Sequence, residues 1–100
     1  MAFTLRQLQF FIAAAEQGSV TGAARVLSIS QSSVTEAIRA LEDDLGVTLF
    51  ARQARGLEIT HLGSQFLRHA QQILADVSNA RQAFRGQADQ EGGRLALGVT

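Results

Sequence analysis

Ser30, Gln31, Ser32, Ser33 and Thr35 stand close together in the stretch ISQSSVTEAI, and all five carry short, uncharged hydrogen-bonding groups. Hydroxyl and amide side chains of this reach can exchange hydrogen bonds with the edges of nucleobases and with phosphate oxygens. Ser30 occupies the position a helix needs for its N-cap, so the others fall on the first turn and a half of that helix. Glu36 and Arg39 continue its polar side. A carboxylate can accept from cytosine N4, and a guanidinium can grip a phosphate or a guanine in two-pronged fashion. The chemistry on offer is recognition through hydrogen bonds.

Other chemistry finds little material. The chain has no cysteine, which excludes a thiolate zinc site and a disulfide scaffold. His61 and His69 are eight residues apart, about 12 Å along a helix, too far to share a metal. There is no G-x-S-x-G, no phosphate-cradling glycine loop and no paired-carboxylate cleft. The sequence implies no enzyme and no cofactor.

The elements that must position the polar cluster can be read from periodicity. Thr4 to Gln17 forms a first helix, with capping-box spacing at Thr4 and Gln7, Phe3 as a staple, and a stripe of Leu5, Leu8, Ile12 and Ala15. Gly18 closes it. A second helix runs from Thr21 to Leu27, its Ala23 and Ala24 small enough to let another helix cross closely. The third follows Ser30, buries Val34, Ala37, Ile38, Leu41 and Leu45, and ends at Gly46. Two short helices joined by a tight turn, the second presenting a polar leading end, make the layout of a helix-turn-helix.

Val47 to Arg52 and Leu57 to Thr60 read as strands around Gln53-Ala54-Arg55-Gly56, a wing with Arg52 and Arg55 near its tip. Thr60 then caps a long helix from His61 to about Gly86. Phe66, Ala70, Ile73, Val77, Ala80 and Phe84 alternate spacings of four and three along it, and Leu74 widens the stripe. A domain this small cannot easily cover such a stripe, so it reads as a seam with a second copy. Gln87 to Gly93 is polar and glycine-rich, a linker, before an alternating GRLALGVT.

The 100 residues amount to one domain, and 46% apolar content is enough for a modest core. Nine arginines balance nine acids, whereas a nucleic-acid binder is usually basic. The charge is unevenly spread. Residues 31–44 carry Arg39 against Glu36, Glu42, Asp43 and Asp44, and the last three read as a solvated acidic end that would repel phosphates. If this helix meets DNA, it must enter by its N-terminal half. No apolar run approaches the roughly 18 residues of a membrane span, and the N-terminus lacks the features of a signal peptide. The expectation is a soluble cytoplasmic protein without membrane contact.

Four stretches now resemble the N-terminal part of the LysR-type transcriptional regulators. LRQLQFFIAAAEQGSVTGAARVL resembles the opening two helices, SQSSVTEAIRALEDDLGVTLFAR the recognition helix and first wing strand, RGLEITHLG the second wing strand and linker-helix start, and GRLALGVT the first strand of the effector-binding domain. The resemblance implies a mainly α fold, a winged helix-turn-helix of three helices plus a two-stranded β wing, followed by a long dimerisation linker helix. It divides the chain into a DNA-binding domain at 1–60 (helix-turn-helix about 19–40, wing about 47–60), a linker helix at 61–86, and a hinge with the first strand of a truncated effector domain at 87–100.

The same resemblance implies binding to an inverted-repeat operator in double-stranded DNA as a homodimer or tetramer. A small-molecule inducer would act only through the missing effector domain. Carried over by position, Gln31, Ser32, Ser33, Thr35, Glu36 and Arg39 fall on the recognition helix and Arg52 and Arg55 on the wing. The chain departs from the family pattern at Glu36, where basic or amide residues are common, and at Ser32, where proline is frequent. Two rival readings stay open on the residues alone: a helical dimerisation module that never touches DNA, and a winged-helix regulator complete at this length with its ligand at the dimer interface.

Overall fold

A computed structural model of the chain describes residues 3–54 and 56–91. Its elements follow as α1 (Leu5–Gln17), α2 (Val20–Leu27), α3 (Gln31–Leu45), β1 (Phe50–Gln53), β2 (Gly56–Ile59) and α4 (His61–Glu91). The chain is mainly helical, and its two strands form one antiparallel hairpin pairing Phe50 with Ile59 and Arg52 with Leu57. Among the described residues, no helix is long and apolar enough to cross a membrane.

Local signals set the first three helices. Thr4 Oγ1 accepts from the Gln7 N–H at 3.1 Å while Gln7 Oε1 accepts from the Thr4 N–H at 2.9 Å, a complete capping box. Ser19 caps α2 by accepting from the Gly22 N–H at 2.8 Å, so that helix starts at Val20, one residue earlier than expected. Ser28 adopts the left-handed conformation with φ of 59°, and the Ile29 N–H closes back on the Ala24 carbonyl at 3.0 Å. That compact turn lets α3 follow α2 directly.

α1 lies in the middle, against α2, α3 and α4. Leu8, Phe11 and Ala14 are wholly buried, whereas Leu5 is 44% exposed. The stripe is therefore rotated from the expected one. FFIAAA offers more apolar residues than one face can use, and three neighbours instead of one decide which are covered. Phe11 is central: its ring lies 5.4 Å from Phe50 of the wing and 5.4 Å from Phe66 of α4. Truncating such a buried ring typically costs about 3–5 kcal/mol.

The wing begins later than expected because α3 uses the residues before it. Gly46 and Val47 donate to the Glu42 carbonyl at 2.8 and 3.2 Å, and Leu49 donates to the Glu42 carboxylate at 2.8 Å. Glu42 is thus half-buried and engaged, not part of a solvated acidic end; Asp43 and Asp44 are exposed. Thr60 closes the hairpin and opens α4: its N–H donates to the Leu49 carbonyl at 3.0 Å, its hydroxyl donates to the Thr48 carbonyl at 2.7 Å and accepts from the Gly63 N–H at 2.9 Å.

α4 continues to Glu91, past the linker expected from residue 87; a single Gly86 in an open position does not stop it. The expected strand within 94–100 lies outside the described residues. The beginning of α4 rests on the domain. Phe66 meets Phe3 edge-on at 6.0 Å, Ala70 is fully buried, and Ile73 and Leu74 pack against the core while remaining partly exposed. Phe66 and Ala70, expected in the seam, thus pack against the chain's own core, Phe66 while staying partly exposed. Further along, Val77 is half-buried, Ala80 exposed and Phe84 72% exposed.

Gly63 offers a test of the wing–helix junction. A Cβ there would press into the backbone carbonyl of Leu49 and lie 2.7 Å from Ile59. Alanine is the better helix former by about 1 kcal/mol, but overpacking against backbone outweighs that. Gly63→Ala is expected to lower stability by about 2 kcal/mol net in urea unfolding. An unchanged midpoint would mean that the junction opens without cost.

Candidate nucleic-acid interface

The polar N-terminal turn of α3 is built around one hydroxyl. Ser30 is extended and its Oγ accepts from the Ser33 N–H at 3.2 Å. The hydroxyls of Ser32 and Ser33 approach the same oxygen at 3.1 and 2.8 Å. Gln31 and Ser32 are exposed, and Ser33 and Thr35 are half-buried. The first turn holds no acidic residue, so the positive end of the helix dipole is left available to an outside anion.

The candidate residues separate onto two sides of α3. Thr35 and Arg39 line a cleft between α3 and the wing, together with Val20, Glu42, Arg52 and Leu57. Ser33 and Glu36 line a shallower groove toward α1, beside Arg6, Gln7 and Phe10. The fold therefore brings Thr35, Arg39 and Arg52 together and leaves Glu36 and Ser33 on the other flank. Arg6 lies over the Phe10 ring at 5.7 Å, a cation–π contact that holds it along that groove.

Arg52 is exposed on β1, opposite Leu57. Beside it Gln53 Nε2 donates to Glu58 Oε1 at 2.8 Å, so the carboxylate on the wing is engaged by a neighbour across the strands. Arg55 lies outside the described residues. The wing is docked on its far side as well: the Leu57 N–H donates to the Gly18 carbonyl at 3.1 Å. Gly56 makes that approach possible, since a Cβ there would sit 2.7 Å from the same oxygen and its φ is 134°.

Two residues that shape this surface escaped the sequence reading. Glu42 is one; its signal was an acid near a helix C-terminus, where the dipole disfavours it, shortly before a strand. The carbonyl of Gly18 is the other, and no side-chain pattern announces a backbone acceptor.

With this geometry in view, the comparisons with known proteins are decisive. The family model for the bacterial regulatory helix-turn-helix protein, lysR family, matches residues 5–64, which spans α1 through the wing and into α4. The chain belongs to the LysR family. The HTH-type transcriptional regulator TfdS of Cupriavidus pinatubonensis is 49% identical over 89 residues, covering 85% of this chain and 30% of that protein. BudR of Klebsiella aerogenes is 40% identical over 96 residues, covering 96% of this chain and 67% of its own length. Among solved structures, the DNA complex of the CbnR DNA-binding domain superposes with a TM-score of 0.82 at 42% identity, covering 86% of this chain and 99% of that one.

The chain is thus the winged helix-turn-helix DNA-binding domain of a LysR-type transcriptional regulator. It spans 30% of the length of TfdS. The recognition helix and linker helix expected from the resemblance correspond to α3 and α4. Its relatives are transcriptional regulators.

The Ser30 cap that organises the recognition turn can be tested alone. Ser30→Ala is expected to lower stability by about 1 kcal/mol, read from thermal or urea unfolding. A variant as stable as the parent would show that the three serine hydroxyls do not depend on that cap.

Proposed function

We propose that this domain reads an inverted-repeat operator in double-stranded DNA as a homodimer, and that the full-length regulator pairs dimers into a tetramer. The N-terminal turn of α3 enters a major groove, where Gln31, Ser32, Ser33, Thr35 and Glu36 meet base edges. Arg39, Arg52 and Arg55 hold the flanking phosphates and set the register. α4 joins two copies through Val77, Ala80 and Phe84, with the exposed edges of Ile73 and Leu74 at its base. A small-molecule inducer acts through the C-terminal region of the whole regulator. The protein works in the cytoplasm, without enzymatic activity.

The observation that carries this reading is the cleft in which Thr35 and Arg39 of α3 face Arg52 of the wing, next to a helix N-terminus without acidic residues. An α-helix fits the roughly 12 Å width of the major groove, and cations along its wing-facing flank suit the phosphates that border the groove. The likeness to a CbnR domain solved on DNA supports the same reading. The exposed Phe84 on a helix that outruns its domain favours the dimer, because an isolated ring of that size gains most from a partner.

Selection from random inverted-repeat duplexes, followed by anisotropy titration at several salt concentrations, tests the proposal. Enrichment of a two-fold symmetric site is expected, with affinity falling steeply as salt rises. Arg39→Ala and Arg52→Ala should each weaken specific and random duplexes alike and reduce the salt slope by about 1. No binding at low salt by the folded protein would favour the interaction-module reading instead. For the dimer, Phe84→Asp is expected to give a monomer mass in sedimentation; a mass unchanged from the parent would remove Phe84 from the interface.

A further inference from the structure

We propose that Glu42 is a positioning residue for DNA binding: its carboxylate, on the C-terminal half of α3, tethers the entry strand of the wing and so fixes where Arg52 stands relative to the recognition turn. The inference rests on the DNA-reading function above. Glu42 does not touch DNA in this scheme; it acts through Arg52.

The hydrogen-bond pattern of the hairpin makes the tether necessary. Leu57, the partner of Arg52, gives its N–H to the Gly18 carbonyl instead of to β1. Arg52 and Leu57 are therefore a non-hydrogen-bonded pair, and so, two residues away, are Phe50 and Ile59. The Phe50 N–H consequently points out of the hairpin, on an edge that no third strand joins among the described residues. Phe50 is only 7% exposed and Leu49 is fully buried, so both donors need an acceptor within the protein. One oxygen serves both: Glu42 Oε2 accepts from Leu49 at 2.8 Å and from Phe50 at 3.3 Å.

The position of Glu42 connects this bond to the binding surface. Thr35, Arg39 and Glu42 follow one another at helical spacing and line the same cleft, facing Phe50 and Arg52 across it. The residue that anchors the wing therefore lies on the same helix face as the arginine that would grip a phosphate. Phe50 and Arg52 are on one face of β1 and about 7 Å apart along it, so holding the first holds the second. A carboxylate here faces both the negative end of the helix dipole and the phosphates of a bound duplex. Its gain is structural, the bonding of two buried donors.

A double-mutant cycle in anisotropy titrations on the selected operator tests the coupling, using E42A, E42Q, R52A and the E42A/R52A double variant. Thermal melting checks that each is folded. Alone, R52A and E42A are each expected to weaken binding about 10-fold, and the double variant by little more than either, because an untethered wing has already lost its arginine contact. E42Q keeps an acceptor oxygen and should stay within about 3-fold of the parent. Amide exchange should accelerate at Leu49 and Phe50 in E42A with the DNA absent. Losses that multiply to about 100-fold in the double variant, or parental affinity in E42A, would overturn the inference while leaving the DNA reading intact. A parent that binds no duplex overturns both. Should E42A fail to melt cooperatively, the same cycle is run with E42D, whose shorter side chain cannot reach both N–H groups, and losses of E42D and R52A that simply multiply overturn the tether.

Discussion

A two-stranded hairpin has too little surface of its own to stay ordered in water. The wing of this domain is ordered because both of its edges are docked. On one edge the Glu42 carboxylate takes the N–H groups of Leu49 and Phe50; on the other the Gly18 carbonyl takes that of Leu57. Those two acceptors belong to α3 and to the corner between α1 and α2. The distance between recognition helix and wing, which decides whether both can sit on one duplex, is therefore written into three helices and not into the hairpin.

The core repeats that connection in apolar terms. Phe11 of α1 touches Phe50 of the wing and Phe66 of α4, so one ring links the recognition end to the linker helix. Thr60 does the same with polar groups, binding the Thr48 and Leu49 carbonyls while capping α4 through Gly63. A displacement of the wing cannot leave the base of α4 untouched. In the proposed dimer, where α4 joins two copies, the spacing of the two recognition helices would depend on how rigidly that base is held.

What could be read in the sequence was whatever is settled within a few residues. The caps at Thr4, Ser30, Gly18 and Gly46 are local, and the structure has each of them in place. The helix-turn-helix followed from them. Choices made between elements were not readable: which side of FFIAAA would be covered, where the strands would start once Glu42 had claimed the N–H of Leu49, and how much of the 66–84 stripe α1 would hide. Phe66 and Ala70 fit a partner helix and the chain's own core equally well by pattern. Among the site residues, the gathering of Thr35, Arg39 and Arg52 depends on a wing whose placement no periodicity describes.

The neutral charge of the chain hides an uneven distribution of sign along α3. Its first turn carries no acid, while Asp43 and Asp44 lie exposed at the far end. Phosphates near a low-dielectric surface attract the one and repel the other over roughly a Debye length, about 8–10 Å at moderate salt. A 15-residue helix is longer than that, about 22 Å, so its two ends act on different parts of a duplex. Lying flat along the groove would place both aspartates among phosphates; entering by the N-terminus keeps them away. In the proposed complex the acids contribute no affinity but exclude the wrong approach, and Arg39 at mid-helix with Arg52 on the wing would supply the attraction for the remaining one.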